Sequence, residues 1–84
     1  MDMETIKAEI KRSIHQVTGI EAATIADSAS YVDDLGLDSL AILEIAVAVE
    51  NRFKFQASDE EMSAVRTVED TVNLVKRSMY VDVA

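Results

Sequence analysis

The chain is predicted to fold as an all-α, four-helix bundle with a short third helix and a long loop between the first two. Three observations carry that expectation: apolar residues recur every three or four positions in separate stretches, helix-start residues stand before Ser39, Asp59 and Val68, and no proline interrupts them. With 84 residues, a single domain spanning 1–84 is expected. A domain of this size buries only about 60% of its unfolded surface. A large internal active site is therefore not expected.

The first helix is expected from Met3 to about Val17, because Ile6, Ile10, Ile14 and Val17 share one stripe while Lys7, Lys11 and Arg12 lie largely elsewhere. Gly19 is its stop signal. From there to Asp34 no period is sustained, which predicts a loop with room for a short helical turn. Loops longer than about 12 to 15 residues are uncommon and usually functional. Ile20, Ile25, Tyr31, Val32 and Leu35 are expected to strap this one across the helices as apolar anchors.

The second helix is expected from Ser39 to about Phe53, with Ile42, Ile45, Ala46, Val49 and Phe53 as its core stripe. Leu40, Leu43 and Val47 carry apolar surface beyond that face, which in so short a chain predicts a docking surface. Ser58 and Glu61 are spaced as a capping box, opening a third helix that ends near Val65. Thr67 caps the fourth, which has Glu69 and Asp70 in its first turn and Lys76 and Arg77 towards its end. Val68, Val72 and Val75 form its inward stripe, with Leu74 alongside.

No cysteine is present, so disulfides and cysteine-containing zinc sites are excluded, and any thiol chemistry must arrive on a cofactor. The hydrophobic fraction of 49% argues for a folded chain rather than an acidic disordered tail. A cytoplasmic protein is expected, since the N-terminus lacks a basic region followed by an apolar run and no apolar stretch approaches the roughly 20 residues that span a bilayer. The net charge of −8 argues against nucleic acid and for partners with basic surfaces. Eight acidic residues lie between Asp33 and Glu61, opposed there only by Arg52 and Lys54.

The run Asp33-Asp34-Leu35-Gly36-Leu37-Asp38-Ser39-Leu40 places a serine where the loop becomes a helix. Asp38 is a good N-cap, which puts Ser39 at the first helical position, with its hydroxyl towards solvent. Free backbone N–H groups and the positive end of the helix dipole favour a phosphate-type anion attached there. Serine nucleophilic catalysis is a poor reading, since the only histidine, His15, lies on the first helix and nothing local supplies a base. Asp33, Asp34 and Asp38 do not follow the ligand spacing of a calcium loop, and no metal site is expected. His15 has no second histidine or cysteine partner and is expected at the surface.

From Tyr31 to about Arg77 the chain resembles the acyl carrier proteins, on the Asp38-Ser39-Leu40 motif with its preceding Gly36-Leu37, the apolar helix that follows, Phe53, a short acidic segment and a final amphipathic stretch. The resemblance implies a noncatalytic protein whose Ser39 receives 4′-phosphopantetheine from coenzyme A through a separate transferase. It implies the carrier-protein bundle as the fold, and as partners the phosphopantetheinyl transferase and the acyl-loading, condensing and modifying enzymes, with basic docking surfaces, of fatty-acid or polyketide-type biosynthesis. It also implies partner contacts at Leu40, Glu44, Val47 and Glu50, and an acyl pocket from Tyr31, Ile42, Leu43, Ala46, Ala57, Met62, Val65, Thr71 and Val75. Ala41, Asn51 and Arg52 replace acids usual in fatty-acid carriers, which points towards a discrete carrier of a polyketide or other specialised pathway. A peptidyl or aryl carrier and a noncarrying acidic adaptor are the alternatives, and a monomer is expected.

Overall fold

A computed structural model describes residues 2–81, with side chains as far as Ser78. Helix α1 is Met3–Thr18, α2 is Ser39–Phe53, α3 is Asp59–Ser63 and α4 is Val68–Val81. The expected four helices, short third member and long first loop are all present. The α1–α2 loop contains one turn of 3-10 helix at Ala22–Thr24.

Local chemistry explains most of the boundaries. Asp2 caps α1 by accepting from the Thr5 N–H at 2.8 Å, and Gly19 ends it in the left-handed region at φ +80°, where an L side chain would be strained. Asp38 caps α2, which closes on Lys54 at φ 58°. Ser58 and Glu61 form the expected reciprocal capping box of α3. Helix α3 ends at Ser63 rather than near Val65, and Ala64 shares its N–H among three preceding carbonyls. Lys76 and Arg77 stand before the last turn of α4 rather than in it, because that helix continues to Val81.

Helix packing centres on α1, which lies against both α2 and α4. Ile6, Ile10 and Ile14 meet Ile45 and Val49 of α2 and Val68, Val72 and Val75 of α4 in one buried cluster. The loop completes it with Ile25, Ala29 and Tyr31, all buried. Ile20 and Leu35 pack against the cluster as expected, but Val32 does not: it is 58% exposed. Val32 stands in the turn at 31–35, where the local backbone direction rather than residue spacing sets which way a side chain faces. Phe53, Ile42 and Val17 are partly buried at the margin of the cluster.

Polar ties reinforce the loop. Tyr31 donates its N–H to the Arg66 carbonyl and Val68 donates to the Ala29 carbonyl, each at 3.0 Å, around an antiparallel bridge between Ser30 and Thr67. Asp27 accepts from Lys11 at 2.7 Å and pairs with Lys7 at 3.0 Å. Those two ammonium groups hold the Asp27 carboxyl below its ordinary pKa. At the far end of α2, Arg52 pairs with Glu9 of α1 through both Nε and a terminal nitrogen.

Candidate functional site

The acidic run before α2 is a tight, internally bonded turn. Asp34 and Leu35 both donate backbone N–H groups to the Ser30 carbonyl at 3.0 Å, and Leu37 donates to the Tyr31 carbonyl at 2.8 Å. Gly36 passes through φ +66° with open space where a Cβ would stand, so backbone conformation rather than crowding calls for glycine. This turn delivers the chain to Asp38 in extended geometry. The Asp38 carboxylate then accepts from the Ala41 N–H at 2.9 Å, and its carbonyl accepts from Ile42 at 3.1 Å.

Ser39 is thereby the first residue of α2 and is exposed. Beside it, Leu40 is 64% exposed, Leu43 52% and Val47 45%, so the apolar surface expected on the outer side of α2 is there. Glu44 is exposed on the same helix. Glu50 is placed differently: it is partly buried, and its carboxylate accepts from the Ala57 N–H at 2.8 Å, closing the α2–α3 connection. A backbone donor seven residues away has claimed the acid that the sequence pattern assigns to a partner.

The same distinction divides the other acids. Asp34 accepts from the Ser30 N–H at 2.7 Å, and Glu61 accepts from Ser58 at 3.0 Å in the capping box, which lowers its pKa. Asp38, Asp34, Glu50 and Glu61 are structural groups as well as charges. Asp33, Glu44, Asp59 and Glu60 are exposed, and none of their carboxylates takes part in a hydrogen bond or ion pair among the described residues. Arg52, spent on Glu9, leaves the outer side of α2 more uniformly acidic than its sequence suggests.

A cleft of about 740 Å³ opens beside Ser39 between α2 and α3. Of the nine residues proposed for an acyl pocket, Ile42, Leu43, Ala46, Met62 and Val65 line it. Tyr31, Thr71 and Val75 do not; they are buried in the main core, where the Tyr31 hydroxyl bonds Thr71 Oγ1. Burial pushes the Tyr31 pKa up to about 12. Ala57 also lies outside the lining. Ser30, Val32, Asp33, Asp59, Ser63 and Arg66 join the lining instead. The loop-to-α4 bridge brings several of them there, and a backbone pairing between distant segments has no short-range sequence signal.

The residues at the start of α2 fit a phosphopantetheine group. The cap bond uses Asp38 and leaves the Ser39 hydroxyl at an exposed position, at the helix end whose dipole favours an attached phosphate. When bound, that group supplies the thiol that the chain lacks. His15 is remote from this role: it is exposed on α1, with Nδ1 2.9 Å from the Ile20 carbonyl oxygen.

Residues 8–75 match the family described as phosphopantetheine attachment site. The chain is 42% identical over 74 residues to the meromycolate extension acyl carrier protein of Mycobacterium leprae, a match covering 88% of this chain and 64% of that one. It thus spans just under two-thirds of that relative's length. It is 39% identical over 74 residues to the acyl carrier protein of Rhodococcus erythropolis, covering 88% and 81% of the two chains. Against the acyl carrier protein of Coprothermobacter proteolyticus it is 34% identical over 80 residues, covering 95% and 98%. With the bundle, the serine at the start of α2 and these similarities together, the chain belongs to the acyl carrier protein family, the noncatalytic proteins that bear 4′-phosphopantetheine.

Proposed function

We propose that Ser39 is the residue that carries the 4′-phosphopantetheine arm, and that residues 1–84 act as one carrier domain delivering thioester-bound acyl groups to partner enzymes. The observation that carries this reading is the exposed serine at the first position of α2, directly behind the Asp38 cap. Tethering is the mechanism it supports: a cargo held on one flexible arm meets each active site at a local concentration set by arm length and docking geometry.

A chain-elongating, specialised acyl pathway is the proposed setting. The name of the Mycobacterium leprae relative supports elongation, and Ala41, Asn51 and Arg52 support a specialised rather than a housekeeping role. A cytoplasmic monomer is proposed; among the described residues no helix is long and apolar enough to cross a membrane.

For docking, we propose that enzymes with basic rims pack on Leu40 and Val47 and are steered by Glu44. Glu50 stands at the edge of that surface, its carboxylate already on Ala57. Glu44→Gln is therefore expected to slow association with the transferase more than Glu50→Gln does. The difference should shrink between 0.01 and 0.15 M salt as the Debye length falls from about 30 to about 8 Å. Equal effects from both variants in stopped-flow binding would remove Glu44 from the docking surface.

Incubation with coenzyme A, magnesium and a broad-specificity phosphopantetheinyl transferase, followed by intact-protein mass spectrometry, tests the carrier reading. A single phosphopantetheine mass gain is expected. A natively folded protein without that gain would favour an acidic adaptor.

A further inference from the structure

Arg66 is the one cationic side chain among the residues lining the cleft beside Ser39. Its backbone is fixed from three sides. Its carbonyl accepts the Tyr31 N–H at 3.0 Å, its N–H reaches Asp70 Oδ2 at 3.0 Å, and the next N–H, of Thr67, meets the same oxygen at 3.1 Å. Tyr31, the loop residue in that arrangement, is fully buried. The side chain thus springs from a tied backbone; the residue is exposed, and its guanidinium forms no ion pair among the described residues.

The opposite wall has a different chemistry. Ile42, Leu43 and Ala46 on α2 present an apolar strip that suits the hydrocarbon part of an acyl chain. A saturated chain laid across the cleft would give the exposed guanidinium no acceptor and leave its five donors to water, so the chain gains nothing from Arg66. A carboxylate on the cargo would satisfy Arg66 but would also face Asp33 and Asp59, which line the same cleft. A neutral oxygen substituent answers both conditions: it accepts from the guanidinium and brings no further negative charge.

We propose that Arg66 selects for acyl cargo bearing a keto or hydroxyl oxygen, donating a hydrogen bond to that oxygen while the aliphatic remainder lies along Ile42, Leu43 and Ala46. This deepens the carrier reading above and rests on it. The cleft then discriminates between an oxygenated acyl chain and its fully reduced counterpart, so that oxygenated cargo is sheltered more than saturated cargo of the same length. A hydrogen bond from a charged donor is strong enough to shift that distribution by about tenfold.

The test uses the full chain loaded at Ser39 with octanoyl or 3-oxooctanoyl phosphopantetheine, the keto carbon of the latter being carbon-13 labelled. Loading is first verified by mass, so failure of the carrier reading appears there, as an absent mass gain, and is distinct from failure of this inference. On loaded protein, the Arg66 Nε–Hε resonance is expected to move with 3-oxooctanoyl and to stay in place with octanoyl. The keto carbon should shift downfield from its position in free 3-oxooctanoyl pantetheine. Arg66→Met, which keeps the backbone ties and most of the length, should return the keto carbon to its free position and reduce the sheltered population about tenfold, with no effect on octanoyl. Arg66→Lys should retain part of the shift, since an ammonium donates in place of the guanidinium. An identical Arg66 response to both cargoes, or an unchanged keto carbon in Arg66→Met, would overturn the proposal.

Discussion

The α1–α2 loop and helix α3 reverse the usual relation between regular structure and anchoring. The loop has one short 3-10 turn, yet it buries Ile25, Ala29 and Tyr31 and is tied to α1 by Asp27 and to the α3–α4 connection by backbone hydrogen bonds. Helix α3 has a complete capping box and no buried residue. A cap satisfies orphan N–H groups locally, but only apolar burial ties an element to the rest of the fold. In this molecule the loop is a load-carrying part of the core, and the regular helix is one wall of an open cleft.

Truncating the two regions should separate them most sharply. Tyr31→Ala is expected to cost about 3 to 5 kcal/mol, the range for aromatic truncation in a core. Met62→Ala on α3 should cost at most about 1 kcal/mol, since that side chain is partly exposed in the cleft. Denaturant melts read both values. Native-state hydrogen exchange offers a second reading: the Tyr31 amide should exchange more slowly than amides of α3, despite its irregular surroundings. A Met62→Ala cost equal to that of Tyr31→Ala would mean that α3 belongs to the core.

A milder change sharpens the account of the loop's buried hydroxyl. Tyr31→Phe removes the bond to Thr71 and should cost about 0.5 to 1.5 kcal/mol at neutral pH. Because the pKa of Tyr31 is raised from 10.0 to about 12 in the folded protein, its contribution is complete below pH 10.0 and is lost as pH rises towards 12. The stability gap between wild type and Tyr31→Phe should therefore narrow over that interval. Thermal melts that keep a constant gap across it would contradict a buried, proton-retaining Tyr31.

The smallest expected effect is at the loop's outer tie. Asp27 has a lowered pKa through Lys11 and Lys7, so its contribution is present above the ordinary carboxylate value of 3.8 and is lost as pH falls through the lower folded value. Asp27→Asn should flatten that acid-side loss and change little at high salt, since the pair is solvent-exposed. An acid profile identical to wild type would show that the lysines do not hold this carboxylate in solution.

These regions also mark where sequence reasoning reached and where it stopped. Helix α2 begins at Ser39 and ends at Phe53 as its stripe and cap predict, because cap, apolar spacing and helix length are all local signals. The exposed position of Ser39 at the helix start was legible for the same reason. Val32 was misplaced as an anchor because an irregular loop has no period from which to read a facing direction. Five of the residues that the resemblance to carrier proteins assigns to an acyl pocket line the cleft, whereas Arg66 entered it through a backbone bridge to a segment more than thirty positions away. Glu50 and Arg52 looked like surface charges until the fold supplied Ala57 and Glu9 as their partners.

The carrier assignment comes down to one oxygen atom at the start of α2. Wild type and Ser39→Ala should be incubated side by side with coenzyme A, magnesium and transferase, then digested and sequenced by tandem mass spectrometry, with a denaturant melt of each. Wild type is predicted to carry phosphopantetheine on Ser39 alone, and Ser39→Ala to stay unmodified while its stability changes by no more than about 0.5 kcal/mol, as expected for an exposed position. Modification of Ser39→Ala, or of any other residue in the wild type, would contradict the assignment.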